Sequence, residues 1–98
     1  MLIRIVKMTF RDDVIDDFKA FFDERKEKIR AFNGCTHLEL WQDAIHKNIF
    51  FTYSLWQNEE ALSHYRNSAF FKDTWTHTKL LFAAKAEAYS INQLVVLS

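Results

Sequence analysis

His77 and His37 are the side chains best suited to move a proton near neutral pH, because imidazole titrates there without help. His77 lies in HYRNSAFFKDTWTHTKLLFAAK, residues 64–85, a stretch that also carries Tyr65, Phe70, Phe71, Trp75 and Phe82. On a helix it shares a stripe with Thr74 and Leu81, beside a second stripe of Phe71, Trp75, Thr78 and Phe82. One reading makes His77 a base facing a pocket; the other makes it the polar edge of a dry stripe. His37 alternates with Glu39 and Trp41. A His–Glu pair on one sheet face can act as a polarised base, although that spacing is ordinary on any strand. Trp41 could face a pocket or a subunit interface. His64, next to Tyr65, reads as surface or pocket rim, and His46 falls in a solvated turn.

Cys35 is the only cysteine, so an internal disulfide and a multi-thiolate zinc site are both excluded. It reads as a small buried hydrophobe. A nucleophilic role would need His37, which points to the same side if both lie on one regular strand. His37 and Glu39 lack a third metal ligand. Gly34, the only glycine, cannot by itself build a phosphate loop. No metal and no cofactor are therefore expected.

These residues need elements to position them. LIRIVKMTF, residues 2–10, reads as a strand. Arg11-Asp12-Asp13 supplies a turn and helix N-cap, and Val14, Phe18, Phe21, Phe22, Ile29 and Phe32 form the stripe of an amphipathic helix. Its charged side, including RKEKIR, is a solvated face rather than a binding patch. Gly34 then supplies the left-handed C′ position. Strands at 35–42 and 49–56 form a hairpin across DAIHKN. Asn58 caps a short helix to about Arg66, Asn67 or Ser68 caps a longer one to about Ala84, and residues 88–97 read as the last strand. The order β-α-β-β-α-α-β predicts an α+β, ferredoxin-like domain over residues 1–98, with helices on one sheet face.

Composition sharpens this. Apolar residues make up 49% of the chain and aromatics 16%, which excludes disorder. Thirteen basic residues balance 13 acidic ones, leaving no electrostatic footprint for nucleic acid or an anionic membrane. The opening segment is neither a secretory signal nor a membrane span, so the expected compartment is the cytoplasm. The strands are apolar on both sides: Ile49, Phe51, Tyr53 and Leu55 alternate with Phe50, Thr52, Ser54 and Trp56. Helices can cover one face only. The second face predicts a homodimer packed sheet to sheet about a two-fold axis, forming a barrel-like core. LVVL, residues 94–97, would be free to pair with the partner's sheet edge. A compact monomer at micromolar concentration in sedimentation would refute this.

LIRIVKMTF, the helix ending in NGC, HLEL, YSLWQNEEAL and HYRNSAFFKDTW together resemble the antibiotic biosynthesis monooxygenase superfamily over roughly residues 2–90. The resemblance implies a dimeric α+β barrel with one pocket per subunit between sheet and helices. It also implies cofactor-independent oxidation of a phenol- or quinol-type aromatic by molecular oxygen. In that setting His77 or His37 would be the base, and Tyr65, Phe71, Trp75, Val6 and His64 would contact a small aromatic substrate. A binding or sensing dimer without turnover is the alternative. A third is haem handling: the haem-degrading branch uses an Asn, a Trp and a His where this chain has Val6, Tyr65 and Trp75. His77 lies two positions beyond the ligand place.

Overall fold

Alternation of side chains along LIRIVKMT produces the central strand of the computed structural model, which describes residues 1–98. The elements are β1 (Leu2–Thr9), a 3-10 turn (Asp12–Val14), α1 (Ile15–Arg30), β2 (Cys35–Gln42), β3 (Ile49–Trp56), α2 (Glu59–Arg66), α3 (Ala69–Lys79) and β4 (Glu87–Asn92). The four strands form one antiparallel sheet in the order β2-β3-β1-β4. α1 packs over β2 and α2 over β3, so the helix layer begins on one half of the sheet. This is the α+β ferredoxin-like arrangement expected from the sequence.

Local chemistry explains most boundaries. Asn58 accepts the Ala61 amide at 2.8 Å and Ser68 accepts the Phe71 amide at 3.1 Å, each satisfying an orphan donor at a helix start. The start of α1 departs from expectation. Asp12 and Asp13 form the 3-10 turn and make no side-chain cap; they place negative charge near the helix dipole, and Asp13 also pairs with Arg11 at 3.8 Å. Gly34 has φ +91° and ends the connection from α1 to β2. A Cβ there would also overlap the Ala61 Cβ on α2, so both conformation and space demand glycine.

Two elements end earlier than the sequence suggests. α3 stops at Lys79, not Ala84, because Phe82 turns back to bridge Phe10 and packs on Phe10 and Trp75 at 5.3 and 5.6 Å. Ring burial outweighs helix continuation there. β4 stops at Asn92, opposite Leu2, where β1 ends. The residues beyond have no strand left to pair with, and Leu94 and Leu97 are each 90% exposed.

The core lies between sheet and helices. Met8, Phe10, Val14, Phe18 and Phe50 form one cluster; Ile29, Cys35, Trp56, Leu62 and Tyr65 form the other. Phe10 stacks on Phe18 at 4.0 Å. On the opposite sheet face Trp41, Tyr89 and Ile91 stay exposed, with Phe51 and Tyr53 half-buried. Both faces of the strands are apolar, and the helices cover one.

Candidate functional site

Alternation sends Arg4, Val6 and Met8 of β1, and Thr52, Ser54 and Trp56 of β3, toward the helices. They floor a cavity of about 240 Å³ roofed by α1, α2 and α3. A cavity of roughly 150 Å³ takes a benzene ring, so this one has room for one or two fused rings. Its mouth lies beside Arg66 and Ala88, the two exposed residues of the lining.

The walls are aromatic. Tyr65 stacks on Trp56 at 4.9 Å and meets Phe71 edge-on at 5.0 Å. Phe71 and Trp75 lie near parallel, 12° apart with centroids at 5.9 Å. Such walls favour a flat ligand. Much of the polar lining is already engaged. Ser54 accepts the Trp56 indole N–H at 3.0 Å, and Thr78 donates to the Thr74 carbonyl at 2.8 Å. The Tyr65 and Thr52 hydroxyls have no protein partner, yet no sealed side-chain polar atom is left unsatisfied. Tyr65 lines the cavity, and its hydroxyl is not sealed off. Burial, reinforced by the Cys35 sulfur, pushes the Tyr65 phenol well above its ordinary value. It is a protonated donor at neutral pH.

Val6, Tyr65, Phe71 and Trp75 line this cavity together. His64 does not; it is exposed and lies 6.0 Å from the Phe32 ring. His77 does not either. Its Nδ1–H donates to the Asp73 carbonyl at 2.9 Å, its ring stacks on Phe21 at 5.6 Å, and its side chain is 54% exposed. The bond to the carbonyl one turn back holds the imidazole on the exposed side of α3, so of the two readings of His77 the polar-edge one matches its position.

His37 lies on the far side of the sheet. A bulge between Cys35 and His37 adds a residue to the alternation. Cys35 thus enters the core with Trp56 and Tyr65, while His37, Glu39 and Trp41 face outward. The expected same-side Cys35–His37 pair does not form, and burial raises the Cys35 thiol above its usual value. His37 Nε2 meets Glu39 at 2.5 Å, and the Trp41 indole donates to the other Glu39 oxygen at 2.8 Å. Those two bonds, the indole's first, hold the Glu39 carboxyl below its usual value. The dyad is real but stands away from the cavity.

The two charged lining residues, Arg4 and Arg66, were not among the candidate site residues. The signal for Arg4 was present, since it interrupts the apolar series Leu2, Val6, Met8, Phe10 on the helix-facing side of β1. No His, Cys, Asp and Glu grouping capable of holding a metal occurs, and no helix is long and apolar enough to cross a membrane.

The sequence model of the antibiotic biosynthesis monooxygenase family matches residues 1–76. The chain belongs to this family. The match runs from β1 into α3 and stops one residue before His77. Solved structures share the fold across essentially the whole length. One described as an antibiotic biosynthesis monooxygenase superposes with a TM-score of 0.90 at 18% identity, covering 97% of this chain and 100% of its own. Rv0793 from Mycobacterium tuberculosis gives 0.87 at 18% identity, with 99% and 98% covered. A conserved protein from Methanosarcina mazei gives 0.88 at 18% identity, with 96% and 94% covered. At these identities the likeness is one of fold. No functionally curated protein matches the sequence.

Proposed function

We propose that this family member is a cofactor-independent monooxygenase acting on a small flat phenol- or quinol-type aromatic. The observation that supports this best is the ring-walled cavity with the free Tyr65 donor. The ionised substrate passes one electron to dioxygen. The resulting radical pair combines to a peroxide at a ring carbon bearing hydrogen, and loss of water leaves a carbonyl there. One oxygen atom enters the product and the other leaves as water. Tyr65 donates a hydrogen bond to the substrate oxygen, while Phe71 and Trp75 hold the ring flat and keep water away.

No histidine lines the cavity, so the substrate proton leaves to solvent at the mouth rather than to a protein base. Turnover is then expected to follow the ionisation of the substrate itself. Oxygen uptake on a panel of quinols tests the reading, corrected for autoxidation in buffer. His77→Ala should keep kcat within about twofold, since a positioned general base is worth roughly a hundredfold or more. A loss of that larger size would return the base role to His77.

The same lack of a base favours a second reading, a ligand-binding dimer without turnover. Thermal stabilisation by an aromatic ligand with no oxygen uptake would select it.

The protein acts as a homodimer in either case. The face bearing Trp41, Phe51, Tyr53, Tyr89 and Ile91 packs against its copy, and the tail at 94–97 pairs with the partner's sheet edge. This accounts for apolar residues that the helices leave uncovered. Sedimentation at micromolar concentration should give a dimer; a monomer would refute the assembly.

A further inference from the structure

The cavity has an unbalanced charge. Its only charged lining residues are Arg4 and Arg66, and no Asp, Glu or Lys joins them. Neither guanidinium has a carboxylate within salt-bridge distance anywhere in the protein. Arg4 makes a single side-chain hydrogen bond, to the Ser90 hydroxyl at 3.0 Å. Arginine presents five donors and is rarely left partly buried with so few of them used.

The positions are not equivalent. Arg66 sits in the last turn of α2, where the helix dipole tolerates a cation. Arg4 has no such support. It stands mid-strand among Leu2, Val6 and Met8, on the face that would otherwise be wholly apolar. Burial, and then the like charge of Arg66, lower its affinity for its proton below the ordinary arginine value. The fold thus holds two cations near one another against an apolar wall, with nothing opposite them. Tyr65, the remaining titratable group of the lining, is a neutral donor.

We propose that Arg4 and Arg66 form an anion clamp, and that the cavity selects aromatic ligands carrying a negatively charged oxygen, a carboxylate or a phenolate. The ring lies along Phe71 and Trp75, and the charged oxygen is held at the mouth between the guanidiniums. This deepens the monooxygenase reading of the same cavity. A substrate held as its anion needs no protein base, and the clamp favours the ionised form that dioxygen can oxidise.

The test separates binding from turnover. Calorimetry compares naphthoate with its neutral isostere naphthylmethanol, and with nitrophenol, whose absorbance reports its own ionisation. Naphthoate should bind at least about tenfold more tightly than the alcohol, as expected for a charge-assisted contact. Arg4→Gln and Arg66→Gln should each remove about tenfold of the anion affinity and leave the alcohol within about twofold. Arg4→Lys should restore part of it, and circular dichroism should show all variants folded. Nitrophenol should ionise at lower pH when bound; if it does not while naphthoate binds tightly, the anion is a carboxylate only. Equal affinities for naphthoate and the alcohol, or parallel losses for both in the variants, would overturn the clamp. Selective naphthoate binding without oxygen uptake on any quinol would leave the clamp standing and remove the monooxygenase reading. Turnover of neutral quinols unaffected by Arg4→Gln would do the reverse.

Discussion

The two faces of the sheet carry similar residues and differ in what surrounds them. Each has a run of aromatic rings. On the outer face His37, Glu39 and Trp41 form a bonded network, and Trp41 stacks on Tyr53 at 4.9 Å. That is the arrangement expected of an activated base, yet it lies away from the described cavity. On the inner face the cavity is closed by three helices and holds rings, two cations and a neutral phenol, but no base. A dyad without a cavity and a cavity without a dyad assign different work to the two faces. In the proposed assembly the outer face holds subunits together, and the inner face holds the ligand.

The sharpest way to break that division is a charge on the outer face. Tyr53→Asp would bury an unpaired carboxylate between subunits. The dimer dissociation constant should rise at least about a hundredfold, or about 2.8 kcal/mol, measured by sedimentation equilibrium, while naphthoate still binds the monomer. Loss of binding in step with dissociation would join the two faces into one site.

Next in size is Gly34→Ala, which strains the junction between α1 and β2 and presses on α2. It should cost about 2 kcal/mol in denaturant unfolding. An unchanged midpoint would show that the helix layer can shift to admit a methyl group. Trp75→Ala removes one wall of the cavity, and aromatic ligand affinity should fall about tenfold by calorimetry. The dimer constant should not change, and a shift in it would contradict the separation of the faces.

The smallest effect concerns Glu39. Its folded carboxyl titrates below the usual value of 4.5, so its contribution is complete above that value. It is lost as pH falls through the depressed one. Wild type and Glu39→Gln should therefore converge in thermal stability only in acid. A difference that persists there would mean the network acts through shape rather than charge.

Much of this was legible in the sequence, and the rest was hidden for identifiable reasons. Alternation in residues 49–56 revealed both apolar faces, and Asn58 and Ser68 marked helix starts through their side-chain oxygens. Four of the five expected substrate contacts, Val6, Tyr65, Phe71 and Trp75, meet in one cavity because helix spacing and strand alternation are local properties. Non-local facts escaped. The bulge that separates Cys35 from His37 depends on pairing with β3. The early end of α3 depends on Phe82 finding Phe10, and that of β4 on where β1 runs out. His77 was ambiguous because a two-residue step on a helix moves a side chain by more than half a turn, and of the stripe it joined Thr74 lines the cavity while His77 stands exposed. Arg4 was readable as a break in an apolar series, although only the cavity gives that break a meaning.

The central claim is that the inner cavity oxidises an aromatic anion without a cofactor. The most direct measurement supplies isotopically labelled dioxygen and a hydroxylated naphthoate to the purified protein, and follows label into product by mass spectrometry. One labelled oxygen atom per product, formed above the buffer rate and reduced at least about tenfold by Arg4→Gln, is the result predicted. Tight binding of the ligand with no labelled product above buffer would contradict it.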